Sequence, residues 1–487
     1  MNLRMKLRPS LWLAGLLSVV LSCQTLSAQQ YEWEGKIREA ISESKFAEAA
    51  AALDKLDLTG AEQKQKEWYY ELMRRIRIEF PYNEEQIKEL LKEDGKDTSD
   101  AKMREWEAKR YLEMRPIDGE RRYFKHAVPN LSRIDPELQP KRVVSDSDKQ
   151  TRSFRIVNCE EMIKFSDGKG KLTHGQKNVF HCVATLPANT IPAGEVVRYW
   201  APFPREWTPR QQDVKLLSHN ADVCKIAPKE DMQRALYMEK TTVKDEPTVF
   251  DFSFTTTTYA QYFSQEYLLE AAKPYDVNSD VYKEYTKEYL PHMIKTDAMK
   301  KWTDEIVGDE TNPVKIVSKI FDAIDARYPW ASSNEYGTML CIPEYVIREG
   351  HGDCGMLTLT LVSALRCKGI PAKWQSGWTM HLDGYCGMHD WGEIYFEGVG
   401  WVPVDMSYGL MNSDDPLVRN IYKSSLDQLR LVINDNIGCE FTPKKEFFRS
   451  EPVDFQKGEM EWKGGNLYFD LWNFYMTYES EKLDPAK

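Results

Sequence analysis

Between residues 352 and 405 the apolar pattern switches from three- and four-residue steps to strict alternation, and this constrains the fold more than any other stretch. Met356, Leu357, Leu359, Leu361, Val362 and Leu365 make a face at helical spacing. Arg366 and Lys368 stand at the far end, where cations suit the helix dipole, and Gly369 and Pro371 stop the helix. Residues 372–378 then read as a strand leaving the helix. Residues 390–396 alternate as a second strand, 397–400 form a turn, and 401–404 return. A buried helix followed by an antiparallel hairpin is the expectation.

Three side chains in this stretch suit nucleophilic chemistry. Cys354, within Gly352-Asp353-Cys354-Gly355, falls in the first helical turn. Free N–H groups and the positive end of the dipole there favour a thiolate, and could also hold an oxyanion. The plain alternative is a buried structural cysteine. His389 starts the first hairpin strand and Asp405 ends the second. In a tight hairpin His389 falls within roughly one to three positions of the residue opposite Asp405. A carboxylate so placed can hold one ring nitrogen, leaving the other to take a thiol proton. Trp391 reads as packing beside His389. Trp330 and Tyr345 are candidates by position for a second oxyanion donor, with aromatic packing as their ordinary role. His351, His381 and His389 match no common metal-ligand spacing, and no acidic loop suggests calcium, so no metal or other cofactor is expected. Cys386, near His389, carries no expectation of a redox switch.

The 487 residues exceed one hydrophobic core, and about two to four domains are expected. Arg4, Lys6 and Arg8 precede an apolar run over 11–21, too short to span a bilayer; this reads as an export signal over 1–28. Val20-Leu21-Ser22-Cys23 resembles a lipobox, which would lipidate Cys23 and attach the chain to a membrane. Cleavage near Ser27-Ala28 would instead release a soluble chain, and both readings stand. Residues 29–115 read as helical, with helices at 67–79 and 84–91, and 116–150 as a connector. Residues 151–275 read as a β-sandwich, with strands at 177–186, 195–204 and 248–256. Residues 276–435 hold the core with the helix and hairpin, and 436–487 supply strands packing on that core. The net charge of -11, with both signs mixed, argues against a nucleic-acid partner. None of the nine cysteines forms a CxxC pair, and sequence assigns no disulfide and no oligomeric state.

The runs "GDCGMLTLTLVSALRCKGIPAKWQSGW" and "HDWGEIYFEGVGWVPVD" resemble the transglutaminase-like superfamily over 343–408, and more loosely over 298–342. "VVRYWAPFP" is similar to the β-sandwich that often precedes such cores. Thr358 departs from the small residue usual after the cysteine. The resemblance implies an α+β multidomain chain with a papain-like core, a helix packed on an antiparallel sheet. It also implies a Cys–His–Asp triad at Cys354, His389 and Asp405. The implied activity is that of an exported thiol enzyme cleaving a peptide or protein amide through an acyl-enzyme. True transglutamination, and a non-catalytic surface lipoprotein that binds peptides or partners, are the alternatives.

Overall fold

The computed structural model describes residues 31–141, 145–206 and 208–483. The expected export signal, with Cys23, lies outside the described residues. Among the described residues no helix is long and apolar enough to cross a membrane. The chain divides into two compact units. One comprises the described residues up to Leu131 together with Glu288–Ala298, and the other Ser132–Lys287 with Met299–Lys487.

The first unit is helical, with helices Glu34–Ser42, Phe46–Asp54, Gly60–Glu79, Glu84–Glu93 and Asp100–Ala108. The third stops ahead of Pro81, whose ring excludes continuation. Asn83 opens the fourth with a capping box: its side chain accepts from Gln86 N at 2.9 Å, and the Gln86 side chain accepts from Asn83 N at 2.9 Å. The connector expected at 116–150 is structured. Strands Met114–Ile117 and Glu120–Tyr123 form a hairpin, helix Ala127–Ile134 follows, and helix Asp146–Phe165 begins before the segment ends. Asp118 and Gly119 both take positive φ, the conformation that a two-residue hairpin turn demands. Ser145 Oγ accepts from Asp148 N at 3.0 Å and starts the long helix. Turn and capping residues thus account for a stretch that composition alone reads as linker.

The second unit holds two five-stranded antiparallel sheets. In one, Thr248–Phe263 pairs with Lys169–Leu186, which pairs with Asn473–Lys482; Gln211–His219 and Ser425–Leu426 lie on the other edge of Thr248–Phe263. The other runs Gly465–Leu467, Glu459–Trp462, Val196–Pro202, Ala235–Thr241, Val223–Ile226. Phe180, Phe250, Phe252 and Phe254 from the first sheet and Tyr199, Trp200 and Met238 from the second share one buried apolar cluster. The three C-terminal strands complete these two sheets, and Asn473–Lys482 also touches the segment expected as the core: Phe474 lies 5.3 Å from Trp378 between ring centres, and Tyr478 donates to the His381 carbonyl at 2.7 Å. Met476, opposite Cys182, brings Asn473–Lys482 into the same apolar cluster.

The remaining sheet has four antiparallel strands in the order Gly400–Val404, Cys386–Phe396, Ala372–Met380, Arg430–Asn434. Helix Cys354–Cys367 packs on it. Every residue from Gly355 to Arg366 is buried, so this is a core helix, enclosed on all sides. The buried Arg366 guanidinium donates to the Ala372 and Lys287 carbonyls and ties down the chain where the helix ends. Trp378 and Leu431 of this sheet join the apolar cluster of the five-stranded sheets.

Candidate active site

Asp353 is the N-cap of the core helix and accepts from Met356 N at 3.0 Å, so Cys354 is the first helical residue. The glycine after it has a steric cause. A Cβ on Gly355 would run into the Tyr336 hydroxyl and Asp390 Oδ2. Tyr336 donates to Asp353 Oδ1 at 2.7 Å, and its hydroxyl oxygen lies 3.3 Å from Asp390 Oδ2, closing a polar roof over the first turn.

The hairpin register explains where the partners fall. Gly392 pairs with Val404, so the position opposite Asp405 is 391, and His389 stands two residues from it on the same face. His389 Nε2 meets Asp405 Oδ2 at 2.8 Å. Asp405 is fully buried, and Arg430 Nη2 donates to the same oxygen at 3.1 Å. Arg430 can reach because its strand passes close to Gly377, the residue opposite His389; a Cβ on Gly377 would collide with the Leu431 carbonyl. The Tyr408 ring packs against His389 at 4.7 Å between centroids, tilted by 35°. The other ring nitrogen of His389, Nδ1, has no hydrogen-bond partner among the described residues.

The structure therefore joins His389 to Asp405. It does not join Cys354 to His389 by a hydrogen bond. The thiol donates to Asp390 Oδ2 at 3.0 Å, on the residue next to His389. Gln456 Nε2 donates to Asp390 Oδ1 at 3.0 Å and to the His389 carbonyl at 3.0 Å, bracing this point of the strand. Burial and the Asp390 and Asp353 carboxylates push the Cys354 thiol well above its usual range. Burial also lowers His389 despite the opposing pull of Asp405, so its imidazole is neutral at neutral pH. Burial would raise Asp405, but His389 and Arg430 more than offset that and hold it well below the usual carboxylate range.

Residues outside the expected triad thus shape the site. Asp390 was open to detection in sequence, as a charged residue at the alternate position of an otherwise buried strand. Tyr336, Arg430 and Gln456 arrive from distant segments and carry no local signal. Trp330 forms a bridge with Gly352, with the Arg133 guanidinium 4.4 Å from its ring centre. Tyr345 packs edge-on against His351. Neither is held against Cys354 by a hydrogen bond.

Buried acids continue behind Asp390. Asp454 accepts from Ser376 Oγ at 2.6 Å, and Glu451 accepts from Gly337 N at 3.2 Å. Burial, then the nearby Glu335 carboxylate, pushes Glu451 up to about 8. Burial likewise raises Asp454. A carboxyl raised by folding binds its proton more tightly when folded. Its stabilising contribution is complete below the ordinary carboxylate range and is lost as pH rises toward the folded value. The melting temperature is accordingly expected to fall between pH 5 and 8.5. Glu451→Gln should flatten that slope in a calorimetric pH series; an unchanged slope would remove Glu451 as its source.

Residues 300–406 match the model of the transglutaminase-like superfamily. No curated protein matches the sequence. Three solved structures share part of the chain's course. A candidate cysteine protease from Cytophaga hutchinsonii is 15% identical, with 65% of this chain and 93% of that one covered at a TM-score of 0.43. The periplasmic domain of TgpA from Pseudomonas aeruginosa is 11% identical, with 51% and 91% covered and a TM-score of 0.27. A candidate protease from Parabacteroides distasonis is 13% identical, with 54% and 47% covered and a TM-score of 0.22.

Proposed function

We propose that this chain, with its transglutaminase-like core at residues 300–406, is an exported thiol enzyme that opens amide bonds through an acyl-enzyme on Cys354. One observation carries the reading. The buried His389–Asp405 pair leaves Nδ1 open, one residue along the strand from the carboxylate that holds the Cys354 thiol. Asp405 on Nε2 requires the ring proton there, so Nδ1 is the basic nitrogen. Catalytic hydrogen bonds are often unmade before substrate binds, so the thiol on Asp390 is the resting state.

In the reaction the thiol proton passes to His389 Nδ1 while the sulfur bonds to the substrate carbonyl. The C–N bond then breaks, and the leaving amine takes that proton. Water cleaves the thioester, with His389 accepting a proton from it and returning one to the sulfur. N–H groups of the first turn of helix Cys354–Cys367 are the donors available to the oxyanion. Hydrolysis is the outcome favoured here; an amine in place of water would give acyl transfer. Export rests on the basic and apolar pattern of residues 1–28.

A binding role without catalysis is the second reading. It is favoured by the thiol's contact with Asp390 and by the carboxylates that disfavour a thiolate. The test is Cys354 alkylation by iodoacetamide across pH in wild type, His389→Ala and Asp390→Asn, with mass spectrometry locating the label. The enzyme reading expects labelling to slow at least about tenfold at pH 7 in His389→Ala. It expects the Asp390→Asn profile to move to lower pH, since one acidic neighbour is gone. Identical profiles in wild type and His389→Ala would leave the binding reading in its place.

A further inference from the structure

A small cavity of about 30 Å³ opens on the sheet face that carries His389, lined among others by Phe154, Arg155, Thr379, His381, Tyr408 and Arg430. Thr379 is two residues beyond Gly377, the partner of His389, and so lies on the same face about 7 Å along the strand. Tyr408 connects the cavity to the base. Its ring packs against His389 at a tilt, and it is flanked by the guanidinium carbons of Arg155 at 3.5 Å and Arg430 at 4.3 Å from its centroid.

The charges on this wall are unequally satisfied. Arg430 is buried, with Nη1 on Asp427 and Thr379 and Nη2 on Asp405, yet its Nε has no partner among the described residues. Arg155, on helix Asp146–Phe165, makes no ion pair or hydrogen bond among the described residues. The nearest acid, Asp427, is already taken. Its Oδ1 accepts from Arg430 Nη1 and Leu429 N, each at 2.9 Å, and its Oδ2 accepts from Tyr422 O–H at 3.0 Å. The Arg155 guanidinium, with no anion, therefore lines this cavity beside Arg430, and the Tyr408 ring next to both lies against His389. Guanidinium matches carboxylate geometry in charge and in its paired donors.

We infer that this cavity is a carboxylate subsite, with Arg155 as the residue that selects an acidic substrate. The inference rests on the thiol-enzyme reading for its meaning. An extended peptide advances about 3.3–3.6 Å per residue. The anionic group is thus an acidic side chain or free α-carboxylate within about two residues of the scissile amide. Arg155 is a specificity residue, with no part in the proton transfers.

The test separates binding from chemistry. Cys354→Ser protein is titrated calorimetrically with N-acetyl-L-glutamate and N-acetyl-L-glutamine, alone and with Arg155→Ala or Arg155→Lys added. The inference expects glutamate to bind at least about tenfold tighter than glutamine. It expects that preference to vanish in Arg155→Ala, with part retained in Arg155→Lys. Equal binding of the two probes, or a glutamate preference that survives Arg155→Ala, overturns it. Circular dichroism of each variant confirms the fold before titration. Because no turnover is needed, failure here leaves the alkylation experiment to judge the enzyme reading separately.

Discussion

On the proposed thiol mechanism, His389→Ala is expected to lower the rate of amide cleavage by about 10⁴-fold, with the fold intact. The expectation follows from how the imidazole is held. Asp405 fixes Nε2 as the protonated nitrogen at 2.8 Å, and Nδ1 is the acceptor left over. Asp405→Asn should lose a comparable factor by another route. An amide N–H aimed at Nε2 stabilises the wrong tautomer, and Nδ1 then carries a proton it cannot accept twice. Residues that act as a unit are not additive, so Cys354→Ala/His389→Ala should be hardly slower than either single variant. The pH profile has a defined sign as well. Burial keeps His389 neutral, so the acid limb of kcat/KM should lie below the ordinary histidine value of about 6.5. A His389→Ala enzyme within tenfold of wild type, assayed on any substrate that acylates Cys354, would sink the assignment of His389 as base.

Much of this site was legible because it is local. The helix from Cys354 is announced by its apolar face and its Gly-Pro stop, and it runs Cys354–Cys367. The hairpin is announced by alternation around Glu397-Gly398-Val399-Gly400. Its register places His389 two residues from the partner of Asp405, inside the expected range. What was not legible is which group meets the thiol. His389 and Asp390 are adjacent, and neighbouring strand residues project to opposite faces. The contact of Cys354 with Asp390 thus depends on the side from which the helix start approaches the strand, a tertiary quantity. Tyr336, Gln456 and Arg430 enter from segments separated by loops whose paths no local pattern specifies. The C-terminal strands were visible as strands but not as members of the five-stranded sheets. An alternating pattern gives a face to bury without naming the neighbour that buries it.

Arg430→Met is expected to destabilise the protein by about 3–5 kcal/mol, the range for removing one partner of a buried ion pair. Arg430 donates to Asp405 at 3.1 Å and to Asp427 at 2.9 Å, and all three residues are buried. Methionine keeps most of the stem that packs beside Tyr408, so the loss reads mainly as two carboxylates left without their cation. Asp405 would retain a neutral imidazole and the Tyr408 N–H at 3.1 Å but no cation, and its pKa would rise from its depressed position. Linkage then gives the sign. A carboxylate depressed by folding stabilises above the ordinary carboxylate range and loses that contribution as pH falls through its folded value. The deficit of Arg430→Met should therefore be largest near neutral pH and shrink in acid, where the orphaned carboxylates are protonated. Urea denaturation at a series of pH values measures this, with an unchanged m-value showing that the folded and denatured states are comparable. Adding Asp405→Asn to Arg430→Met should recover part of the loss, because one of the two uncompensated charges is then removed. Strict additivity of the two substitutions would mean that Arg430 acts through Asp427 alone and leaves the His389–Asp405 pair to stand by itself.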